Sequence, residues 1–461
     1  MSTTTARLAA IRPLIDRVVP RGAILLSVLT FAGYVMGLIR DRTLTRTFGA
    51  GLELDTFNTA FVLPDLAFSV IVASGLAAPF IPIFSGLRRE SDRAAFEFAQ
   101  TILTLAVLAM AAVAAVLFIA APLTVQVVAP GFDAERRDLY VSLFRILCAT
   151  QVLFAASTAI GEVLVAERRF FFYGAAPLMF NTGIVVGTLL LAGRIGIYAP
   201  AVGAVLGAAL HLGIRVIGSL RTPFRIRPRL RVRTGAVREF VGLAIPKIGS
   251  GPVEPLTFLF FTRVGSALAT GSITTINLAR NFQSVPVSLI GIAFSVAAFP
   301  ALAAAYAAND RAGFVRLVRV NALTIGLLTT AAALGLAIVG PFAIDLFFRG
   351  GRFDADAVAR TSLVLAIFAI SIPFESLGHL LSRAIYATHH TAWQVIATLV
   401  GFGVTVLVTL GLAGPLGAAA IPIGFSSGLA VRFVLLVVVL ARRIRAMPPT
   451  PPWGPAASER P

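Results

Sequence analysis

Several ionisable side chains stand inside otherwise apolar runs, where a charge is costly unless it faces water or a partner. Lys247, the only lysine in the chain, follows Pro246, and Glu254 comes seven residues later, two helical turns on and on roughly the same face. Pro246, Pro252 and Pro255 with Gly249 and Gly251 predict a bent or broken helix there, acceptable only where it lines protein or water. The stretch reads either as a gating helix presenting a cation to a cavity or as a Lys247–Glu254 pair that satisfies itself. Arg280-Asn281 and Gln283 precede Pro286, and Arg263 lies upstream. Arg280 reads as an anion contact, with simple interhelical hydrogen bonding as the alternative. Glu375, His379 and Arg383 recur every four residues, one polar stripe on a helix. The stripe is a candidate cation or proton relay, because histidine titrates near neutral pH, or else a solvated lobe interface. His211, Arg215 and Glu162 fall near the cytoplasmic ends of their apolar runs, where snorkelling to the headgroups accounts for them.

No catalytic constellation accompanies these groups. Asp55 and Asp65 lack the DxxD or DDxxD companions that a magnesium-dependent prenyl or sugar-phosphate transferase needs. The single cysteine, Cys148, excludes a disulfide framework, a CxxC redox pair and a thiolate metal cluster. Four histidines (His211, His379, His389 and His390) argue against a zinc site, and no GxxxxGK[ST] phosphate loop is present. The chain is expected not to be an enzyme, and to need no cofactor beyond a coupling cation (Na⁺ or H⁺) or the membrane potential.

The elements that must position such groups are membrane helices. Of 461 residues, 57% are hydrophobic and 13% charged, against roughly 25% charged in soluble proteins. A soluble fold of this size cannot hide that much apolar surface. Hydrophobic segments fall near 23–40, 57–84, 97–128, 139–165, 171–193, 198–219, 240–264, 272–305, 319–348, 359–386, 392–413 and 416–441. The expected fold is therefore all-α: a polytopic membrane protein of about 12 transmembrane helices. Residues 1–22 read as a cytoplasmic tail before an uncleaved first span, and the Pro-rich end 447–461 as a disordered tail.

The net charge of +18 suggests nucleic acid at first sight, but in a membrane protein it points to arginine-rich cytoplasmic loops beside anionic lipid, with no nucleic-acid partner. With the N-terminus inside, the inside loops hold Arg88, Arg89 and Arg93, then Arg168 and Arg169, seven arginines from Arg221 to Arg238, then Arg311, Arg316 and Arg319, and finally Arg442, Arg443 and Arg445. Outside loops are balanced, as where Arg40, Arg42 and Arg46 meet Asp41, Glu53 and Asp55. Both termini are thus placed in the cytoplasm. The run RIRPRLRVR at 225–233 reads as an amphipathic segment on anionic headgroups or as a plain retention signal.

The chain also repeats itself. Pro82, Asp92-Arg93-Ala94 and Phe96 return as Pro300, Asp310-Arg311-Ala312 and Phe314, and Phe132-Asp133-Ala134 returns as Phe353-Asp354-Ala355, at a nearly constant interval. Six spans per copy keep both halves in the same orientation. The expectation is two parallel six-helix lobes, 23–220 and 239–446, around a central cavity, joined by the basic linker 221–238.

The stretch from Gly37 to Ser85 resembles the first two spans of the MurJ (MviN) lipid II flippases of the MOP exporter superfamily. Gly37, Arg40, Asp41, Phe48-Gly49-Ala50-Gly51, Asp55, Phe57, Ala60-Phe61, Pro64, Phe80 and Pro82 carry the likeness. It extends more weakly through the APGF before Asp133, Pro246, and the run from Arg280 through Pro286 to Pro300. The resemblance implies a cationic cavity between two lobes and alternating access that moves a polyprenyl-diphosphate-linked disaccharide-pentapeptide to the outer leaflet. It leaves Arg40 as a family arginine in place, puts Tyr34 and Phe68 where the family has arginines and Ala73 where it has an acid, and sets Asn281 beside Arg280 at the span-eight arginine. Twelve spans would leave the family's last two helices without counterparts.

The resulting expectation is a lipid II flippase with Arg40, Lys247 and Arg280 as cavity cations. Asp41, Asp55, Glu254, Asn281 and Gln283 support them, and Glu375 and His379 are the candidates for ion coupling. A flippase for another lipid-linked oligosaccharide, a cation-coupled exporter, and a non-transporting scaffold for cell-wall synthesis proteins are the alternatives. Expected partners are the lipid-linked glycan and anionic membrane lipid, with cell-wall synthesis proteins as further candidates.

Overall fold

The structure, a computed structural model, describes residues 21–250, 253–388 and 392–448. Most of the N-terminal tail, residues 251–252, the His389-His390 turn, nearly all of the Pro-rich tail and the side chain of Lys247 lie outside the described residues. Regular structure among the described residues is helical, as an all-α fold requires. From the N-terminus, α1 spans Arg21–Phe48, α2 Leu52–Phe68, α3 Ser74–Glu90, α4 Asp92–Ile119, α5 Ala121–Val128, α6 Ala134–Ala166, α7 Phe170–Gly174, α8 Ala176–Ile195, α9 Tyr198–Leu220 and α10 Gly235–Ser250. Then come α11 Val253–Gly265, α12 Ser272–Pro286, α13 Ala293–Ala307, α14 Arg311–Phe348, α15 Ala355–Ala369, α16 Ser371–Ala387, α17 Ala392–Leu416 and α18 Ala420–Ala446.

Ten stretches among the described residues are long and apolar enough to cross a bilayer, so the chain is a multi-pass membrane protein. The expected count of twelve is not confirmed: the last two expected spans, on α17 and α18, fall within one continuous apolar stretch, Ala392–Ala446, and the expected span 240–264 includes residues 251–252, outside the described residues. Large apolar side chains on the periphery, such as Phe31, Leu190, Leu327, Ile338 and Leu407, are exposed, which is the surface a helix offers to lipid.

The described chain divides into two compact units. The first holds the chain up to Phe48, Thr56–Val128 and Phe132–Pro255; the second holds Gly49–Asp55, Ala129–Gly131 and the chain from Leu256. In the first unit, Phe80, Phe84 and Phe98 centre a core completed by Ile160, Leu164 and Phe240. Helices α8 and α9 approach closely because Gly183 and Gly187 face Gly203 and Gly207; a Cβ on Gly183 would strike the backbone of Gly207. The second unit has its core at Leu302, Phe314, Leu380, Ile385 and Leu436.

The repeated motifs do the same work in both copies. Asp133 caps α6 by accepting from the Arg136 amide at 2.9 Å, and Asp354 caps α15 by accepting from the Ala357 amide at 2.8 Å. The phenylalanine before each cap, Phe132 or Phe353, is buried. The second apolar helix of each copy is interrupted at the same place by a π-turn, Ser69–Ala73 or Val287–Ile292, with Pro82 or Pro300 further on. The copies diverge in one detail: Ser91 caps α4, whereas Asp310 itself caps α14.

Candidate functional site

In the first unit, Arg40 lies near the middle of α1's second half and is aimed from two sides. Its Nε and Nη2 donate to Asp41 Oδ1 at 2.9 and 2.7 Å, and its Nη1 donates to Asn181 Oδ1 of α8 at 3.0 Å. Three of its five N–H donors are thus committed and the side chain keeps 27% of its surface open. A guanidinium held by two fixed acceptors presents its remaining donors in one direction, the geometry that suits a phosphate oxygen. Asp65 on α2 is exposed, accepts a 2.7 Å hydrogen bond from the fully buried Gln151, and lies within electrostatic reach of Arg40. Glu254 is exposed in the first turn of α11. Its pairing with Lys247 falls outside the described residues.

His211, Arg215 and Glu162 do not snorkel. All three are buried. Ser157 joins His211 and Arg215: its hydroxyl meets His211 Nδ1 at 2.7 Å, and its carbonyl accepts from Arg215 Nη1 at 2.8 Å. The Arg215 guanidinium lies 4.9 Å from the Tyr173 ring centroid and over Gly161, where a Cβ would come within 2.6 Å of Nη1. Rotation of α9 about its axis turns this face toward α6 rather than toward the headgroups.

In the second unit, Arg280 of α12 is paired with Glu375 of α16 through Nη2–Oε1 at 2.9 Å and Nη1–Oε2 at 3.3 Å. The two side chains are only 7% and 12% exposed. Gln283, one turn beyond Arg280, donates from Nε2 to Glu375 Oε2 at 2.9 Å and to Ser371 Oγ at 2.8 Å. Phe425 lies against the guanidinium at 4.9 Å, with Phe258 at 5.9 Å. Two departures from the sequence expectation follow. Arg280 is not a bare cavity cation but a buried one whose charge an internal carboxylate already meets. Glu375 is correspondingly committed to Arg280 and Gln283 rather than held open for a coupling ion. His379, half-buried one turn on, is within electrostatic reach of Glu375, Arg383 and Arg432. Asn281 is exposed, whereas its neighbour Arg280 faces inward.

Asp55 is also not a cavity residue. It accepts from the amides of Gly271 and Thr274 at 2.6 and 2.7 Å and from the Thr274 hydroxyl at 2.7 Å, so its carboxylate caps α12. The cap works because Gly271 takes the left-handed conformation, φ +91, with its α-carbon against the Ala50 carbonyl. Glu53 adds an ion pair with Arg352 at 3.0 Å. Ala50 and Asp55 are thus a structural clasp on the start of the helix that carries Arg280.

Sequence reasoning missed Asn181, Gln151, Ser371 and the aromatic pair Phe258 and Phe425. The signal for Asn181 and Gln151 was a lone amide within an apolar span, since a polar side chain there needs a partner.

Comparisons with known proteins agree with this architecture. A protein from Rickettsia prowazekii described as a probable lipid II flippase MurJ is 25% identical over 410 residues, covering 88% of this chain and 80% of its own length. The structure superposes on a lipid II flippase MurJ in an inward closed conformation with TM-score 0.77 at 20% identity, covering 92% of this chain and 89% of the other. It superposes equally, TM-score 0.77 at 14% identity, on an inward-facing multidrug resistance MATE family transporter of the MOP superfamily, covering 92% and 98%. At these identities the two superpositions speak for the fold alone, but the family model for the lipid II flippase MurJ matches residues 44–452. The chain belongs to the MurJ family.

Proposed function

We propose that this chain moves lipid II, a polyprenyl-diphosphate-linked peptidoglycan precursor, from the cytoplasmic to the outer leaflet of the bacterial inner membrane by alternating access. It acts as a transporter and forms no covalent intermediate with its cargo. Arg40 carries the reading within this chain: a part-exposed guanidinium, oriented by Asp41 and Asn181, with donors left over for an anion. A charge-assisted contact of this kind contributes on the order of 1.5–3 kcal/mol. In the second unit, Arg280 is a phosphate contact in its own right, and Glu375 is the internal anion that holds its place when no cargo is bound. Both termini lie in the cytoplasm, and anionic lipid is the partner of the cytoplasmic arginines. The membrane potential, worth about 2.3 kcal/mol per charge per 100 mV, or a cation gradient supplies the driving force.

The test is charge reversal. In cells depleted of their own lipid II flippase, Arg40→Glu is expected to abolish rescue while reaching the membrane at the wild-type level, and Arg40→Lys to keep part of it. Full rescue by Arg40→Glu would remove Arg40 from the cargo site.

A further inference from the structure

The basic segment between α9 and α10 is ordered. It lies extended along α4 and is held there by specific bonds. Gln100 Nε2 donates to the Arg225 carbonyl at 2.7 Å, the Arg229 amide donates to Thr104 Oγ1 at 3.0 Å, and the Arg231 amide to Thr101 Oγ1 at 3.4 Å. Arg229 and Arg231 both reach Glu97, which also takes Arg93. Phe224 before the segment and Val237 after it are buried in the core of the first unit.

Pinning by backbone and by two arginines leaves the opposite face uncovered. Ile226, Leu230 and Val232 are 40%, 56% and 49% exposed, an apolar row on alternate residues of an extended strap. Arg225, Arg227 and Arg233 are exposed beside them. Glu97 supplies one negative charge against three arginines, so the strap keeps a net positive charge. The depth of the strap follows from α4. Its 28 residues span about 42 Å at roughly 1.5 Å per residue, some 12 Å more than the ~30 Å of hydrocarbon. The charged residues of α4, Asp92, Arg93 and Glu97, are all in its N-terminal turns and its other end is apolar, so the excess falls at the N-terminal end: Glu97, ~8 Å along at roughly 1.5 Å per residue, stands outside the hydrocarbon, Thr101 at its edge and Thr104 about 6 Å within. An apolar row with flanking arginines at that depth fits the boundary between headgroups and acyl chains, and it does not fit a soluble anion, which would use the arginines and leave the apolar row bare.

We propose that residues 225–233 form a membrane-docking strap. Ile226, Leu230 and Val232 seat in the cytoplasmic leaflet, and Arg225, Arg227 and Arg233 bind the phosphates of anionic lipid. The strap thereby fixes the level at which α4 and α10 sit in the bilayer. This rests on the cytoplasmic placement of the segment given under the proposed function.

The experiment places an environment-sensitive nitrobenzoxadiazole dye at Leu230→Cys, and separately at Val232→Cys, in a Cys148→Ala background. The full chain is reconstituted in phosphatidylcholine vesicles with or without phosphatidylglycerol. Blue-shifted emission, quenching by a nitroxide on the lipid headgroup and a several-fold fall in quenching by aqueous iodide are expected, all stronger with phosphatidylglycerol. Arg225→Gln/Arg227→Gln/Arg233→Gln should erase the phosphatidylglycerol dependence. Iodide quenching as strong as that of free dye at both positions, whatever the lipid, would overturn the strap. Labelling of Leu230→Cys in intact cells by an impermeant thiol reagent added outside would instead overturn the orientation, and so separates the two failures.

Discussion

Replacing Glu375 with glutamine removes the charge opposite Arg280 while keeping the side chain's size and its capacity to bond with Gln283. If Glu375 holds the place of the cargo's phosphate, the freed guanidinium should grip that phosphate more tightly. The bond it exchanges is charge-assisted, short and sheltered: 2.9 Å, between side chains 7% and 12% exposed. Such bonds contribute about 1.5–3 kcal/mol, and about 1.4 kcal/mol is tenfold in affinity, so Glu375→Gln should bind lipid II about ten- to a hundredfold more tightly than the wild type. Release then slows, and translocation falls although binding improves. Binding is measured on purified protein by titration with fluorescent lipid II, and turnover in proteoliposomes. Glu375→Ala serves as the contrast, because an unpaired buried arginine costs about 3–5 kcal/mol and should lower the melting temperature. Arg280→Gln/Glu375→Gln should lose the gain in affinity. Unchanged or weaker binding by a Glu375→Gln protein that melts at the wild-type temperature would refute the exchange and leave the pair as a structural brace.

Asp55→Ala should lower thermal stability by at least the ~1–2 kcal/mol typical of a lost helix cap, with Asp55→Asn retaining part of it; a melting curve in detergent reads both. Gly183→Leu should force α8 and α9 apart and cost stability beyond the ~1–3 kcal/mol of ordinary overpacking, since the obstructing atoms are the backbone of Gly207; a melting point equal to wild type would contradict the close approach. Arg40→Glu, with Asn181→Ala as a milder counterpart that frees Nη1 without removing the charge, should rank in that order in loss of rescue.

What was legible in the sequence was whatever depends on local chemistry. Apolar runs fixed the helices because backbone groups in lipid must bond within their own segment. The two Phe-Asp-Ala motifs were legible as copies of one another, and the structure gives both aspartates the same work, capping a helix. The break expected in the seventh segment, rich in Pro and Gly, falls on residues 251–252, outside the described residues. What escaped depends on partners distant in sequence. Nothing in Asp55's surroundings announces a helix start 216 residues away, and nothing around Arg280 shows that the stripe on α16, 95 residues on, turns its first member toward it. The burial of His211 and Arg215 escaped for a related reason: in a span apolar on all sides, hydropathy reports depth but not which face meets protein. Arg40 shows the reverse case. Its neighbour Asp41 was visible as a companion, whereas Asn181, which aims it, declared itself only as an amide in an apolar span.

The central claim is that this chain carries lipid II across the membrane, and the unmodified gene tests it most directly. Expressed in cells whose own lipid II flippase is depleted, the protein is predicted to restore growth and the arrival of lipid II at the periplasmic face. Arrival is scored by a colicin that cleaves the externalised precursor. A protein present in the membrane at normal abundance that leaves lipid II trapped on the cytoplasmic face would contradict the account and assign its transport to a different lipid-linked cargo.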